Sequence, residues 1–193
     1  MNIVEPIKDL KKIKLMKLIL RDSPKGQGLR NELLFTFGIN TGIRISDLLA
    51  LPVRIVLNEN GKLLKNTDNI SIREEKTDKL KIFSLNSSIL EVLERYKPFE
   101  MDRSAPLFPS YMTKKALTRS QAYRILNHAA KVAGLTKIGT HTLRKTWGYH
   151  CYKETGNLAL VQKALGHVNS GDTLRYLGID QEEINNTYNL VNL

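Results

Sequence analysis

The sequence predicts a mainly helical fold that contains one small three-stranded antiparallel β-sheet. Three observations lead to this fold class. Apolar residues recur at helical spacing toward both ends of the chain, over residues 7–51 and 87–190. Between these regions, apolar and polar residues alternate over residues 70–72 and 80–82, which is the spacing of strands. The length of 193 residues, 41% of them hydrophobic, suits one ordinary domain with its own core.

Three helices are predicted ahead of the strands. The first covers Ile7–Arg21, where apolar residues lie near helical spacing. A loop rich in serine, proline and glycine follows at residues 23–28. The second helix is predicted over Leu29–Asn40, and a short third helix over Ser46–Leu51 is stopped by Pro52.

The sheet is predicted from three short stretches. Arg54–Leu57 is β-like and is followed by the turn pair Asn60-Gly61. Apolar and polar residues alternate over residues 70–72 and again over residues 80–82. The last two stretches predict a hairpin, and Lys76 falls near its turn.

Helical spacing resumes after the hairpin and continues almost to the end of the chain. The predicted helices are Ser87–Tyr96, Ser120–Ala133, His141–Glu154, Leu158–Leu165, Thr173–Leu177 and Glu182–Leu190. Thr140 is the expected N-cap of the helix that begins at His141. Gly166 is expected to end the helix Leu158–Leu165. Cys151 is the single cysteine, so no intrachain disulfide is possible, and we expect it to be a small buried residue in a helix.

The charge distribution points to a polyanionic partner. The net charge is +11, and residues 101–153 hold ten lysines and arginines against one acid, Asp102. Such a segment binds a polyanion by releasing its condensed counterions, although a solubilising surface or association with ribosomes would give the same charge. The chain has no long apolar stretch and no secretory signal at its N-terminus, so we expect a cytoplasmic protein.

One candidate for anion binding is the pair His141 and Arg144. They lie three residues apart on a predicted helix and therefore share one face. The planar guanidinium fits two oxygens of a phosphate, and an imidazole donates a hydrogen bond or moves a proton near neutral pH. A surface histidine near a helix start would give the same pattern.

A second candidate lies in the sequence Leu165-Gly166-His167 and the residues that follow it. Because Gly166 ends a predicted helix, His167 is presented by a turn. Tyr176 comes nine residues later, in a short predicted helix. A structural histidine and a half-buried aromatic residue remain open for these two positions.

A third candidate is Arg44, in the sequence Thr41-Gly42-Ile43-Arg44-Ile45-Ser46-Asp47. The arginine stands between apolar neighbours straight after a glycine bend, and a buried arginine needs a partner. Asp47, one helical turn on, would either orient Arg44 or simply neutralise it. Lys76, on its own, is equally well explained as a solvated turn lysine.

Taken in order, these residues resemble those of the tyrosine recombinase (phage integrase) family. The resemblance extends from about Leu29 to Tyr176, which is most of the chain. It implies the catalytic-domain fold of that family and an enzyme that acts on double-stranded DNA. Tyr176 would attack a phosphodiester, form a 3′-phosphotyrosyl link and release a 5′-hydroxyl. The bond energy is conserved, so the strand would be rejoined without ATP, and no cofactor or metal is required.

The resemblance also implies a role for each of the other polar residues. Arg44 and Arg144 would hold the non-bridging oxygens of the phosphate and stabilise the charge that grows there. His141 would accept the tyrosine proton, and His167 would hydrogen-bond the phosphate. Lys76 would protonate the departing 5′-oxygen.

Several further residues are assigned to DNA less specifically. Lys79 is the nearest competitor of Lys76 as the proton donor. The candidates for contacts with the DNA backbone are Lys114, Lys115, Arg119 and Arg124, and a solvated helix face would explain them equally well.

The chain departs from many family members because Arg44 comes too early for a preceding domain. We therefore expect residues 1–193 to be a single catalytic domain without a separate N-terminal core-binding domain, either as a compact member or as part of a larger protein. The family pattern implies a homotetramer on DNA, a monomer or weak dimer when free, and possible accessory proteins. The segment after Tyr176 would dock on a neighbouring subunit or pack on its own core.

Three other functions remain open at this point. A type IB topoisomerase uses similar residues to relax DNA without a partner site. A DNA-binding module without catalysis, such as a helix-turn-helix regulator, would show the same charge and helices. A metal-dependent nuclease comes next, although no tight cluster of Asp and Glu lies near His141 or His167.

Overall fold

The computed structural model describes residues 4–24, 26–166, 170–178, 185 and 188, with the side chains of residues 170, 172 and 175 excepted. These ranges contain eight α-helices, two 3₁₀ turns and two strands. In chain order they are α1 (Leu10–Arg21), α2 (Gly28–Thr41), α3 (Ile45–Leu49), a 3₁₀ turn (Val53–Val56), β1 (Asn69–Arg73), β2 (Leu80–Ser84), α4 (Ser87–Tyr96), a second 3₁₀ turn (Pro98–Glu100), α5 (Arg119–Val132), α6 (Thr142–Thr155), α7 (Leu158–Leu165) and α8 (Ser170–Leu177). The mainly helical fold class is confirmed.

Helix ends are set by capping side chains and by glycines. The carboxylate of Asp9 accepts the backbone N–H of Lys11 at 2.7 Å, so α1 begins three residues later than the apolar spacing predicts. Thr118 and Gln121 form a reciprocal capping box at the start of α5. Gly166 ends α7 in the left-handed conformation, as predicted.

Helix α2 lies at the centre of the molecule. It packs against α1, α4 and α6, and its residues 33–38 are all buried. The side chains of Phe35 and Phe37 are inaccessible to solvent, and Phe37 meets the rings of Phe83 and Phe108 edge to face. Arg44 follows this enclosed helix closely and is the N-cap residue of α3.

The sheet has two strands within the described residues, so the prediction of a third strand over Arg54–Leu57 was wrong. Strands β1 and β2 pair antiparallel, and Ser71 lies opposite Ile82. Residues 53–56 instead form a 3₁₀ turn, and the backbone N–H groups of Val53 and Arg54 donate to carbonyls of residues 105 and 103. With these donors used elsewhere, only one isolated bridge, between residues 57 and 63, continues the expected pairing.

Of two other local predictions, that of the N-cap of α6 was wrong and that of the last helix falls mostly outside the described residues. Thr140 is not the N-cap of α6, because His141 occupies that position and makes no side-chain capping bond. The hydroxyl of Thr142 instead accepts the backbone N–H of Gly139 at 3.0 Å. The helix predicted over Glu182–Leu190 lies outside the described residues, apart from Asn185 and Tyr188, which are helical.

Helices α7 and α8 pack on α6 as a separate apolar group. Val161, Leu165 and Leu177 form its buried part, and Trp147 and Tyr176 pack against them. Gly148 lets α8 approach α6 closely, since an added Cβ would lie 2.9 Å from Leu177. Among the helices in the described ranges, none is long and apolar enough to cross a membrane.

Candidate active site

Arg44 enters the site from the turn between α2 and α3. Gly42 makes this turn possible, because its φ of 60° is left-handed and Trp147 fills the space that a Cβ would need. The Nη1 atom of Arg44 lies 2.5 Å from Oε2 of Glu74, in the hairpin turn after β1. The Arg44 side chain is 17% exposed, so this ion pair is largely shielded from water.

Arg144 joins four parts of the chain at one point. It is buried on α6, and its Nη1 donates to the carbonyl of Gly42 at 2.8 Å. Its Nη2 donates to the carbonyl of Leu165 at the end of α7, and its charge acts to lower the pKa of the nearby Tyr176 hydroxyl. The same Nη1 lies 3.7 Å from Oε1 of Glu74. The two arginines therefore meet at one carboxylate.

Glu74 is a residue of this site that sequence reasoning missed. By sequence, Glu74 is an acid in a polar stretch two positions before Lys76, where a solvated side chain is the ordinary expectation. Asp47 was expected to hold Arg44, but its carboxylate instead accepts the backbone N–H of Glu75 at 3.0 Å and anchors the hairpin turn. Across the ranges described above, no three His, Cys, Asp or Glu side chains are grouped so as to hold a metal ion.

Tyr176 lies at the inner face of α8. Its side chain is partly buried beside Arg144, and the Nζ atom of Lys145 is 5.1 Å above its ring. Burial raises the pKa of the Tyr176 hydroxyl, although the charges of Arg144 and Arg44 oppose this effect. The phenol is therefore neutral at physiological pH in this arrangement.

His141 stands at the N-terminal end of α6, three residues before Arg144. Burial and the charges of Arg119, Arg144 and Lys145 lower the pKa of the His141 imidazole. The ring is therefore neutral near pH 7, which is the form that accepts a proton. His141 shares two neighbours, Arg144 and Lys145, with Tyr176.

The hairpin brings one expected lysine and one unexpected lysine toward the site. Lys76 and Lys79 are exposed in the turn, and the charge of Lys76 acts on His141. Lys81, on β2, points inward, where its Nζ lies 3.4 Å from the Gly42 carbonyl that also binds Arg144. Sequence reasoning missed Lys81. Its position between Leu80 and Ile82 predicts a lysine that faces solvent, but in the structure those two apolar residues are exposed, at 61% and 60%, and Lys81 faces inward.

The surroundings of Lys81 lower the pKa of its ammonium group. Burial and the nearby Arg144 lower the pKa of the Lys81 ammonium to about 8, while Glu74 opposes the shift. Lys81 also lies over the ring of Trp147, at 5.7 Å. Lys81, Trp147 and Glu74 line a cleft of about 410 Å³ between β2 and α7, which reaches Gly166.

The remaining predicted site residues fall into two groups. His167 lies outside the described residues; Gly166, which precedes it in the sequence, lines the cleft. The four candidates for DNA backbone contacts are exposed; Lys114 and Lys115 precede α5, and Arg119 and Arg124 lie on it. Of these four, Arg119 is the one whose charge acts on His141.

A family model described as the phage integrase family matches residues 9–183. The chain belongs to this family, that of the tyrosine recombinases. It is 43% identical over 189 residues to the probable integrase/recombinase YoeC of Bacillus subtilis, and the match covers 97% of both proteins. The resemblance found in the sequence is thereby confirmed.

Solved structures of recombinases share the fold. The XerH site-specific recombinase bound to a palindromic difH substrate, in a post-cleavage complex, has a TM-score of 0.71 at 23% identity and covers 97% of this chain and 53% of that one. A lambda integrase tetramer bound to a Holliday junction has a TM-score of 0.65 at 16% identity, with coverage of 91% and 49%.

The chain spans little more than half the length of the XerC relatives that it matches. Tyrosine recombinase XerC of Staphylococcus haemolyticus is 28% identical over 176 residues, which are 90% of this chain and 57% of that protein. YoeC, in contrast, is matched over nearly its whole length.

Proposed function

We propose that this protein is a site-specific DNA recombinase that cuts and rejoins DNA strands through a 3′-phosphotyrosyl intermediate on Tyr176. The observation that carries this proposal is the meeting of Arg44, Arg144 and Tyr176 around one anionic group. Two guanidiniums converge on the carboxylate of Glu74, and the phenol lies beside one of them. Such a pair of fixed cations suits a phosphate whose charge increases during attack.

The two arginines stabilise the transition state without a metal ion. Arg144 is held by two backbone carbonyls, so its guanidinium is already oriented before DNA arrives. A preorganised donor of this kind costs no reorganisation during the reaction, and removing one typically costs ~10²–10³ in rate. His167 is proposed to add a further hydrogen bond to the phosphate.

Tyr176 needs a base, because burial keeps its hydroxyl protonated. We assign this role to His141, whose neutral imidazole is favoured by burial and by four neighbouring cations. The proton passes from the phenol oxygen to the imidazole as the oxygen bonds to phosphorus and the bond to the 5′-oxygen breaks. Lys76 is proposed to protonate that departing oxygen, with Lys79 as its competitor.

Double-stranded DNA is the proposed substrate, and the exposed cations Lys114, Lys115, Arg119 and Arg124 are proposed to contact its backbone. The lambda integrase of the same fold is a tetramer on a Holliday junction, which supports a homotetramer on DNA here. We propose that the free protein is a monomer or weak dimer that acts in the cytoplasm at the nucleoid. Residues 1–193 would act as a single catalytic domain, with accessory proteins where the target requires them.

The test of this function is a covalent adduct with DNA. A nicked duplex carrying the sequences that flank the gene releases a short strand after cleavage, so the protein remains attached to the 3′ phosphate. A plasmid with two copies of the same site should yield recombinant circles. Relaxed plasmid without recombinants would instead indicate a topoisomerase, and binding without an adduct would indicate a DNA-binding module.

The fall of the cleavage rate at acid pH should follow the protonation of His141. The imidazole accepts a proton only when it is neutral, and burial lowers its pKa below the ordinary value of about 6.5. We expect the single-turnover cleavage rate to hold through the ordinary imidazole pKa of about 6.5 and to fall only as pH drops through the lowered pKa of His141. His141→Gln should lose about 10²–10³ in rate and lose this acid limb. An unchanged acid limb in the variant would assign the base elsewhere.

DNA affinity should fall in a distinct step as the pH rises through the pKa of Lys81. Its ammonium carries charge below its pKa of about 8 and loses it above that pH. Lys81→Met should therefore weaken binding by about tenfold at pH 7, which is about 1.4 kcal/mol, and by much less at pH 9. The measurement is the Kd for a duplex at constant salt. Lys79→Met removes an exposed lysine of the same hairpin and should keep the step near pH 8; a step retained by Lys81→Met would contradict the assignment.

A further inference from the structure

We propose that Glu74 is an internal counter-ion that occupies the phosphate site in the absence of DNA and is displaced when the scissile phosphate binds. This inference rests on the proposed function, because it takes the anion site between Arg44 and Arg144 to be the phosphate site. Glu74 is then a positioning residue. It acts on the reaction through the two arginines and makes no contact with the reacting atoms.

The geometry around Glu74 matches that of a bound oxyanion. One carboxylate oxygen lies 2.5 Å from Arg44, and the other lies 3.7 Å from Arg144. The hydroxyl of Thr77 donates to the first oxygen at 2.7 Å. The carboxylate thus presents two oxygens to two guanidiniums, as a phosphodiester with its two non-bridging oxygens would. Both anions cannot occupy this position together, because like charges at this distance repel strongly.

The neighbours of Glu74 keep its carboxyl group ionised in the absence of DNA. Burial alone would raise the pKa of the Glu74 carboxyl, but hydrogen bonds from Arg44 and Thr77 and the charge of Arg144 lower it. Glu74 therefore stays ionised at every pH at which the enzyme is expected to work. Without it, two shielded guanidiniums would face each other without a counter-ion, which is costly in a protein interior.

The segment that carries Glu74 is suited to displacement. Glu74 lies in the turn of a two-stranded hairpin, and residues 75, 76, 78 and 79 of that turn are exposed. The pairing of β1 with β2 and the bond from the Glu75 N–H to Asp47 can stay in place while the Glu74 side chain turns away from the arginines. Glu32 offers a contrast. It also binds two arginines, Arg21 and Arg95, but it lies on the enclosed helix α2 and has no such freedom.

Displacement of Glu74 would also change the position of Lys76. The two residues are two positions apart on the same turn, and Lys76 is exposed while Glu74 occupies the site. A turn that releases Glu74 from the arginines is the same segment that must bring Lys76 to the 5′-oxygen. Phosphate binding and delivery of the proton donor would then be coupled through one exchange of anions.

The experiment compares Glu74→Gln with Glu75→Gln in the whole protein, with inorganic phosphate as the probe. Both variants remove one negative charge, but Glu75 is exposed and holds neither arginine. Thermal unfolding is followed against phosphate concentration at constant ionic strength. We expect Glu74→Gln to lower the Tm without phosphate and to bind phosphate about tenfold more tightly than the wild type. Glu75→Gln should match the wild type in phosphate affinity.

A second variant covers the case in which Glu74→Gln does not fold. Thr77→Val keeps all charges and the shape of the side chain but removes the hydroxyl that holds Glu74. It should raise phosphate affinity by about threefold. Equal affinities in all variants that fold, or an equal gain in Glu75→Gln, would overturn the counter-ion proposal. The assay requires neither DNA nor Tyr176, so failure of the recombinase function would appear separately, as a missing covalent adduct.

Discussion

Replacing Tyr176 with phenylalanine removes the covalent protein–DNA adduct completely and leaves DNA affinity within about twofold of the wild type. Phenylalanine keeps the ring that packs in the apolar group between α6 and α8, and it keeps the position of Lys145 above that ring. It lacks the oxygen that would bond to phosphorus, so no phosphotyrosyl link can form. The measurement is denaturing electrophoresis of the nicked duplex after incubation, together with a Kd from a binding titration.

Tyr152 provides the matched control. It lies on α6 and packs against the same apolar group as Tyr176. Tyr152→Phe removes the same oxygen from a neighbouring ring and should form the adduct at the wild-type rate. An adduct that persists in Tyr176→Phe would place the nucleophile on another residue and would remove the basis of the proposed mechanism.

The sequence predicts the helices well, for physical reasons that differ between elements. Helices such as α4 and α7 follow from local spacing and local caps, so their bounds are predicted to the residue. The third strand fails because strand formation depends on a distant partner. The donors of Val53 and Arg54 bind residues 105 and 103, and no local pattern contains that information.

The missed residues of the site share the same cause. Glu74 and Lys81 are ordinary hairpin residues by sequence, and each acquires its surroundings from segments 30 or more positions away. Asp47 shows the opposite error. Its helical spacing from Arg44 suggested that the two residues form a pair, but in the folded protein Asp47 binds the backbone of Glu75 and Arg44 binds Glu74. Local spacing predicts which residues are candidates for the site, and tertiary packing decides which of them meet.

Replacing Arg144 with alanine should reduce strand cleavage by at least about 10³, more than the loss of a single donor to the phosphate would explain. Arg144 orients two other parts of the site as well, because its guanidinium binds the carbonyls of Gly42 and Leu165. Alanine removes the donor of the Leu165 carbonyl, leaves the Gly42 carbonyl with Lys81 alone, and leaves Glu74 with one arginine. The Tm should therefore fall, and the rate must be measured well below the unfolding transition.

Two further variants separate the chemistry of Arg144 from its charge. Arg144→Lys keeps the charge but loses the planar fork, so it cannot bind two carbonyls and a phosphate together, and cleavage should stay at least about 10²-fold slow. Arg124→Ala removes an exposed cation of α5 and should weaken binding in a salt-dependent way while leaving cleavage at saturating DNA unchanged. If Arg144→Lys cleaved at the wild-type rate, a charge alone would be enough at this position. The fixed geometry of the two guanidiniums would then have no part in catalysis. If Arg144→Lys instead bound DNA like the wild type but cleaved it slowly, the orientation of the guanidiniums would be shown to stabilise the transition state.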